Sequence, residues 1–220
     1  MSVDPPMLPM LPMAVAIALT PLAVILAVVL LLTPCPRATA GAFLGGWALG
    51  VAAVTGIAVA AADLIDVYVA SPRWAVWVQL LLGVALVGLG IGRWRARHRS
   101  AGAPAWLQGV QSIAPRRAFA LGLMASAANP KVLMLGLAGG IAIGSAAEHL
   151  LAEALGVLGF TAVSSLGAAV PWLAFLVFGE RAVRTLMRVR AWLEANADAM
   201  VALVFMVLGV ALAAGGLARL

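Results

Sequence analysis

The chain has 220 residues, of which 65% are hydrophobic and only 10% charged, and its mean hydropathy is +1.11. That composition cannot clothe a water-soluble globule in an ordinary polar surface, so it calls for a lipid bilayer as solvent. Basic residues outnumber acidic ones by 14 to 8, but no aromatic interleaving or folded nucleic-acid motif accompanies them, which excludes nucleic acid as the partner they imply.

A spanning helix needs about 20 apolar residues to cross roughly 30 Å of hydrocarbon. Six charge-poor runs meet that ruler, near residues 13–33, 40–62, 74–92, 118–147, 150–178 and 199–218. They predict an all-α integral membrane protein with six transmembrane helices in one domain, residues 1–220. The first run follows the leader MSVDPP, which holds no Lys or Arg, and is read as a retained helix rather than a secretory signal. It contains Thr20-Pro21 and ends in TPCPR, where the lone Cys35 has no redox partner and is expected to be a small packing residue. The second run carries Gly46, Gly50 and Thr55, and the third Gln79, Gly88 and Gly92. The fourth holds Asn129-Pro130-Lys131, with the chain's only lysine, and then Gly136, Gly140 and Gly144. The four-residue glycine spacings suit close helix approach. In the fifth run Thr161, Ser164 and Ser165 precede Pro171. Those hydroxyls have two readings, as lining of a polar site or as partners for carbonyls that Pro171 frees.

Orientation follows from Lys and Arg in short loops. Arg37, the basic loop 93–117 and the segment 179–198 together hold eleven of the fourteen basic residues, which places these segments in the cytoplasm and both termini outside. Arg181, Arg184 and Arg188 share a helical face beside Trp192 and are candidates for contacting anionic headgroups or gating the cytoplasmic end.

The runs divide into two halves, 13–92 and 118–218, and three spans per half make the second an inverted copy of the first. Thr20-Pro21 and Asn129-Pro130 stand at matching places in the leading helices. A proline inside a helix removes a hydrogen bond and clashes with the preceding turn. Helices 1 and 4 are therefore expected to break at Pro21 and Pro130, with Thr20 and Asn129 capping new half-helices within the bilayer. Broken helices at corresponding positions point to a midplane binding site; the other reading is two structural kinks.

Lys131 lies ~20 Å along the helix from Arg117 and ~25 Å from Glu148, which places it near the midplane, where a charge is expensive. The dipole of the half-helix that starts there also repels a cation. A carboxylate reaching in from Asp63 or Asp66, a neutral lysine, or an anionic substrate would each resolve the conflict. A structural lysine bonded to carbonyls freed by the prolines is the alternative to a substrate or proton role.

The stretches LTPLAVILAVVLLLTP, PRATAGAFLGGWALG and AANPKVLML resemble the peptidoglycolipid addressing proteins, including their sulfolipid-addressing members, within the lysine exporter superfamily. The resemblance touches both halves, and TPCPR departs from the simpler S-P-R turn of that family. It implies a bacterial inner-membrane exporter or flippase for envelope glycolipids, and it carries over Thr20, Pro21, Arg37, Gly46, Trp47, Asn129, Pro130 and Lys131.

The resulting expectation is a transporter or flippase that moves an anionic or glycosylated envelope lipid. Its substrate-binding candidates are Lys131, Asn129, Pro130, Thr20, Pro21, Ser164, Ser165 and Thr55, and its headgroup or gate candidates Arg37, Arg181, Arg184 and Arg188. Export of an amino acid or other small metabolite is the alternative. Scarce polar residues in the spans favour an amphiphile whose tails stay in lipid. No enzyme activity, cofactor or metal is expected: a thiol relay needs two cysteines, no P-loop occurs, and Ser126 with Lys131 across a proline sets up no defined nucleophile and base. Membrane lipids are the expected partners, and a homodimer or a larger envelope-lipid export machinery is compatible with the pattern.

Overall fold

The computed structural model describes residues 10–68, 73–96, 113–147 and 149–217, and every regular element in it is an α-helix. In chain order these are α1 (Leu11–Ala18), α2 (Pro21–Leu30), α3 (Pro36–Tyr68), α4 (Arg73–Ala96), α5 (Pro115–Ala127), α6 (Pro130–Ala146), α7 (Leu150–Phe178) and α8 (Glu180–Leu217). Two stretches are individually long and apolar enough to cross a membrane, Pro36–Ala62 within α3 and all of α7. The bent pairs α1–α2 and α5–α6 each add one if counted as a single span. The apolar runs at 74–92 and 199–218 are helical as well, within α4 and α8. The core of the loop 93–117, residues 97–112, lies outside the described residues.

Prolines open half of the eight helices among the described residues. Pro21, Pro36, Pro115 and Pro130 each stand at the first helical position, where the missing N–H is no loss and the fixed φ already suits the helix. Pro171 sits inside α7, which nonetheless continues to Phe178. The segment 179–198, expected as a loop, is instead the first half of α8. Between Glu180 and Leu208 there is no Gly or Pro to interrupt a run rich in Ala, Leu, Arg and Met, all good helix formers. Ala182 and Leu186 face inward there, while Arg181, Arg184 and Arg188 are exposed.

The chain forms two compact units, one of Met1–Asp66 with Ala105–Arg190, the other of Val67–Pro104 with Ala191–Leu220. In the first, α3 and the bent pair α5–α6 run side by side in the same direction. Gly46 and Gly50 of α3 meet Phe119, Leu123 and Ser126 of α5, and Gly140 and Gly144 of α6 meet Thr55 and Val59 further along α3. Gly122 packs on the backbone of Phe43 and Trp47, and a Cβ there would overlap the Phe43 carbonyl oxygen.

Helix α7 runs antiparallel to α6: Phe160 lies on Gly139, and Ile143 lies on Gly156. Helices α1 and α2 both pack on α7, and α1 also packs on α6. Outward faces carry large apolar side chains, among them Leu49 and Ile57 on α3 and Leu150, Leu158 and Val177 on α7, as a lipid-facing shell requires.

In the second unit Gly90 of α4 approaches Ala202 and Met206 of α8, and Gly209 approaches Gly83 and Val87. Gly88 and Gly92, expected on the packing face, have open space around them among the described residues. The contact face of α4 is set by Gly90 and Gly83, between and beside them.

Candidate functional site

Both expected breaks are present, and they share one local geometry. Thr20 (φ −73, ψ 113) and Asn129 (φ −81, ψ 116) are each extended residues at an N-cap followed by proline. The bends are 45° between α1 and α2 and 68° between α5 and α6. Extended backbone is what proline imposes on the residue before it, so the sequence Xaa-Pro alone accounts for the shared conformation.

The caps differ in chemistry. Asn129 Oδ1 accepts the backbone N–H of Lys131 at 3.1 Å, an Asn cap on the start of α6. The Thr20 side chain makes no such bond, and its hydroxyl is buried without a partner. The start of α2 therefore keeps more of its positive end open than the start of α6. Lys131 occupies the second position of α6 and is half-buried, whereas Pro130 is exposed and Pro21 buried.

The breaks stand level with each other. Gly167 of α7 touches the backbone of Ala18 at the end of α1. The antiparallel register of α6 and α7, carried along from Gly139–Phe160, sets Val132 opposite that same Gly167. Ser164 and Ser165 lie within one turn of Gly167 on α7. Thr55 of α3 faces Gly136 and Gly140, about 7 to 14 Å along α6 from Lys131.

Around this level, polar atoms lack partners. Among the described residues, the hydroxyls of Thr20, Thr55, Thr161, Ser164 and Ser165 and the indole Nε1 of Trp47 are buried with no hydrogen bond. Thr20, Trp47, Thr55, Ser164 and Ser165 are at most 7% exposed. A buried unpaired polar group costs roughly 1 to 3 kcal/mol, so such a set is what a site built for polar ligand atoms or water looks like. The Ser164 and Ser165 hydroxyls do not bond the carbonyls upstream of Pro171, so the purely structural use of them is not realised.

Other sequence candidates fall elsewhere. Ser126 is fully buried on Gly50 and its hydroxyl donates back to carbonyls of its own helix, Gly122 at 3.0 Å or Leu123 at 3.1 Å. Cys35 is exposed in the turn between α2 and α3, between Pro34 and Pro36, and is not packed as expected; the inward positions of that turn are taken by Leu31 and Thr33. The side chains of Asp63, Asp66 and Gln79 lie outside the described residues.

A second feature lies at the far end of α2. A cleft of about 650 Å³ opens between the turn 31–36 and the α7–α8 junction, lined among others by Leu31, Thr33, Phe175, Glu180, Arg181 and Arg184. Arg188, a turn further along α8, does not line it, and neither does the Arg37 side chain. The Arg37 carbonyl instead accepts Trp172 Nε1–H at 3.1 Å, which ties the start of α3 to α7. Sequence reasoning missed Trp172, Thr33 and Glu180, because only the fold brings residues so distant in the chain to one cleft.

No curated protein and no solved structure matches the chain. One family model does, that of the Sap, sulfolipid-1-addressing proteins, over residues 10–218. The two broken leading helices and their T-P and N-P-K starts thus sit within a match that covers nearly the whole sequence, and the chain belongs to the sulfolipid-1-addressing protein family.

Proposed function

We propose that this protein carries an anionic or glycosylated envelope lipid across the bacterial inner membrane, and that the lipid's polar head passes the level of the two helix breaks. The single observation that carries the reading is the pairing of breaks. Two half-helices begin at one level of the fold, with Lys131 at one start and an uncapped, buried Thr20 at the other. Positive dipole ends and an ammonium in a low-dielectric setting favour an anion. The unpaired hydroxyls of Thr55, Ser164 and Ser165 supply donors and acceptors for sugar or headgroup oxygens. The family's name, which refers to addressing a sulfolipid, supports a lipid with an anionic head, and the apolar outer shell lets its tails remain in the bilayer.

The packing directions support a six-span layout. Neighbouring helices that run parallel, as α3 and α5–α6 do, need an odd number of crossings between them, and α4 has 24 residues, about 36 Å of helix. With a crossing by α4 and another by the later part of α8, six spans alternate and the α5–α6 half is inverted relative to α1–α2. Inverted halves around broken helices are the architecture of alternating access. No catalytic role is assigned, since Ser126 is committed to its own helix.

The test is Lys131→Met and Lys131→Arg in reconstituted vesicles that report lipid translocation. Met keeps the length and removes the charge. Transport should be lost with Met, with the protein equally or more heat-stable because a costly charge has gone from the interior. Retention with Arg indicates anion binding, and loss with Arg fits proton exchange or a steric limit, as guanidinium stays charged. Normal transport by the Met variant would overturn the reading.

A further inference from the structure

The cleft at the cytoplasmic end of the proposed layout carries chemistry of its own. Two guanidiniums, Arg181 and Arg184, stand beside one carboxylate, Glu180, over a floor that includes Leu31 and the buried Phe175. All three charged residues are exposed, and among the described residues none of them has an ion-pair partner, even within the trio. The Thr33 hydroxyl donates to the Leu30 carbonyl at 2.7 Å, which leaves its oxygen free to accept. The cleft's volume, about 650 Å³, falls in the range of small-molecule sites.

We infer that this cleft is a loading site that takes the headgroup of an anionic glycolipid, a sugar or polyol bearing a sulfate or phosphate, before the lipid reaches the helix breaks. Paired arginines bind tetrahedral oxyanions with charge-assisted, often bidentate, hydrogen bonds. A simple anion would gain nothing from the adjacent carboxylate, which repels it. A headgroup with hydroxyls uses both signs: its anionic oxygens accept from Arg181 and Arg184, and its hydroxyls donate to the Glu180 carboxylate, which has no hydrogen to donate. The leucines and Phe175 suit the apolar neck of a lipid. Helix α2 leads from the cleft to the first break, ten residues or about 15 Å away. The role as loading site rests on the transport reading above; the binding itself does not.

Full-length protein in detergent, exposed to equal amounts of phosphatidylinositol, phosphatidic acid and phosphatidylcholine, tests this by native mass spectrometry. Phosphatidylinositol, which has both a phosphate and free hydroxyls, should be retained over phosphatidylcholine. The double variant Arg181→Gln/Arg184→Gln should reduce its retention about tenfold or more, the scale of losing charged hydrogen bonds. Glu180→Gln should weaken phosphatidylinositol but not phosphatidic acid. All three positions are solvent-exposed, and an unchanged gel-filtration profile shows that the variants remain folded. Retention of phosphatidylinositol by the arginine variant, or binding no better than phosphatidylcholine, overturns the proposal. Full displacement by millimolar sulfate with no preference among the lipids also overturns it, because the site would then be one for small anions. Transport by Lys131→Met separates this proposal from the break-level reading. Normal transport by that variant alongside lost binding in the arginine variant would remove the break-level reading and leave the cleft standing.

Discussion

Gly122 and Gly56 show how a single methyl group can have opposite effects at two places in one bundle. Alanine is favoured over glycine in a helix by roughly 1 kcal/mol, so exchange in open space should stabilise. Among the described residues, no heavy atom lies within 4 Å of the place a methyl on Gly56 would take, and Gly56→Ala should raise the melting temperature slightly. At Gly122 the methyl would overlap the Phe43 carbonyl oxygen, which is backbone and cannot rotate away. The clash should outweigh the propensity gain and cost about 2 kcal/mol or more net. Thermal unfolding of both variants in detergent checks the contrast; a Gly122→Ala protein as stable as the parent would mean that α3 and α5 can separate without penalty. Four-residue glycine spacing pointed correctly to the contact at Gly46 and Gly50, but it could not separate them from Gly88 and Gly92, since spacing is blind to which face meets a neighbour. Caps behave likewise. Thr20 and Asn129 read alike in sequence, yet only the Asn amide oxygen reaches back to an N–H.

The broken helices are the elements most legible from sequence, because proline's missing N–H acts locally and needs no tertiary partner. The opposite holds for α8, where a run of arginines reads as a solvated loop and only the absence of Gly and Pro reveals a helix. Pro171 shows the limit of the rule: α7 continues through it without a break, whereas Thr20 and Asn129 lie where two separate helices begin. If the bends position the polar site, Pro21→Ala and Pro130→Ala should each straighten a helix and lower transport while membrane insertion is unaffected. For α5–α6, spin labels on Met124→Cys and Leu137→Cys, both exposed positions, in a Cys35→Ser background should move further apart in Pro130→Ala. An unchanged distance together with an unchanged transport rate in both variants would make the breaks relics of packing.

At the scale of the whole molecule, the directions of the helices in the first unit fix a testable polarity. The turn that holds Cys35 follows α2, and the connection around His149 follows α6, so parallel α1–α2 and α7 against antiparallel α6 places these two points at opposite ends of the unit. The basic residues Arg37, Arg181 and Arg184 cluster at the Cys35 end, and the positive-inside rule predicts that end to be cytoplasmic. Cys35 is the chain's only cysteine and is exposed, so it serves as a native reporter. A membrane-impermeant maleimide should label it in inverted inner-membrane vesicles and leave it unlabelled in intact spheroplasts. In a Cys35→Ser, His149→Cys protein the pattern should reverse, since His149 is also exposed. The comparison is sensitive to the span count as well as to orientation, because a bundle in which α1–α2 or α5–α6 turned back within the membrane would put one of these sites on the other side. Labelling of Cys35 from outside intact cells, or labelling of both sites from the same side, would overturn the six-span inverted layout and with it the cytoplasmic placement of the arginine-lined cleft.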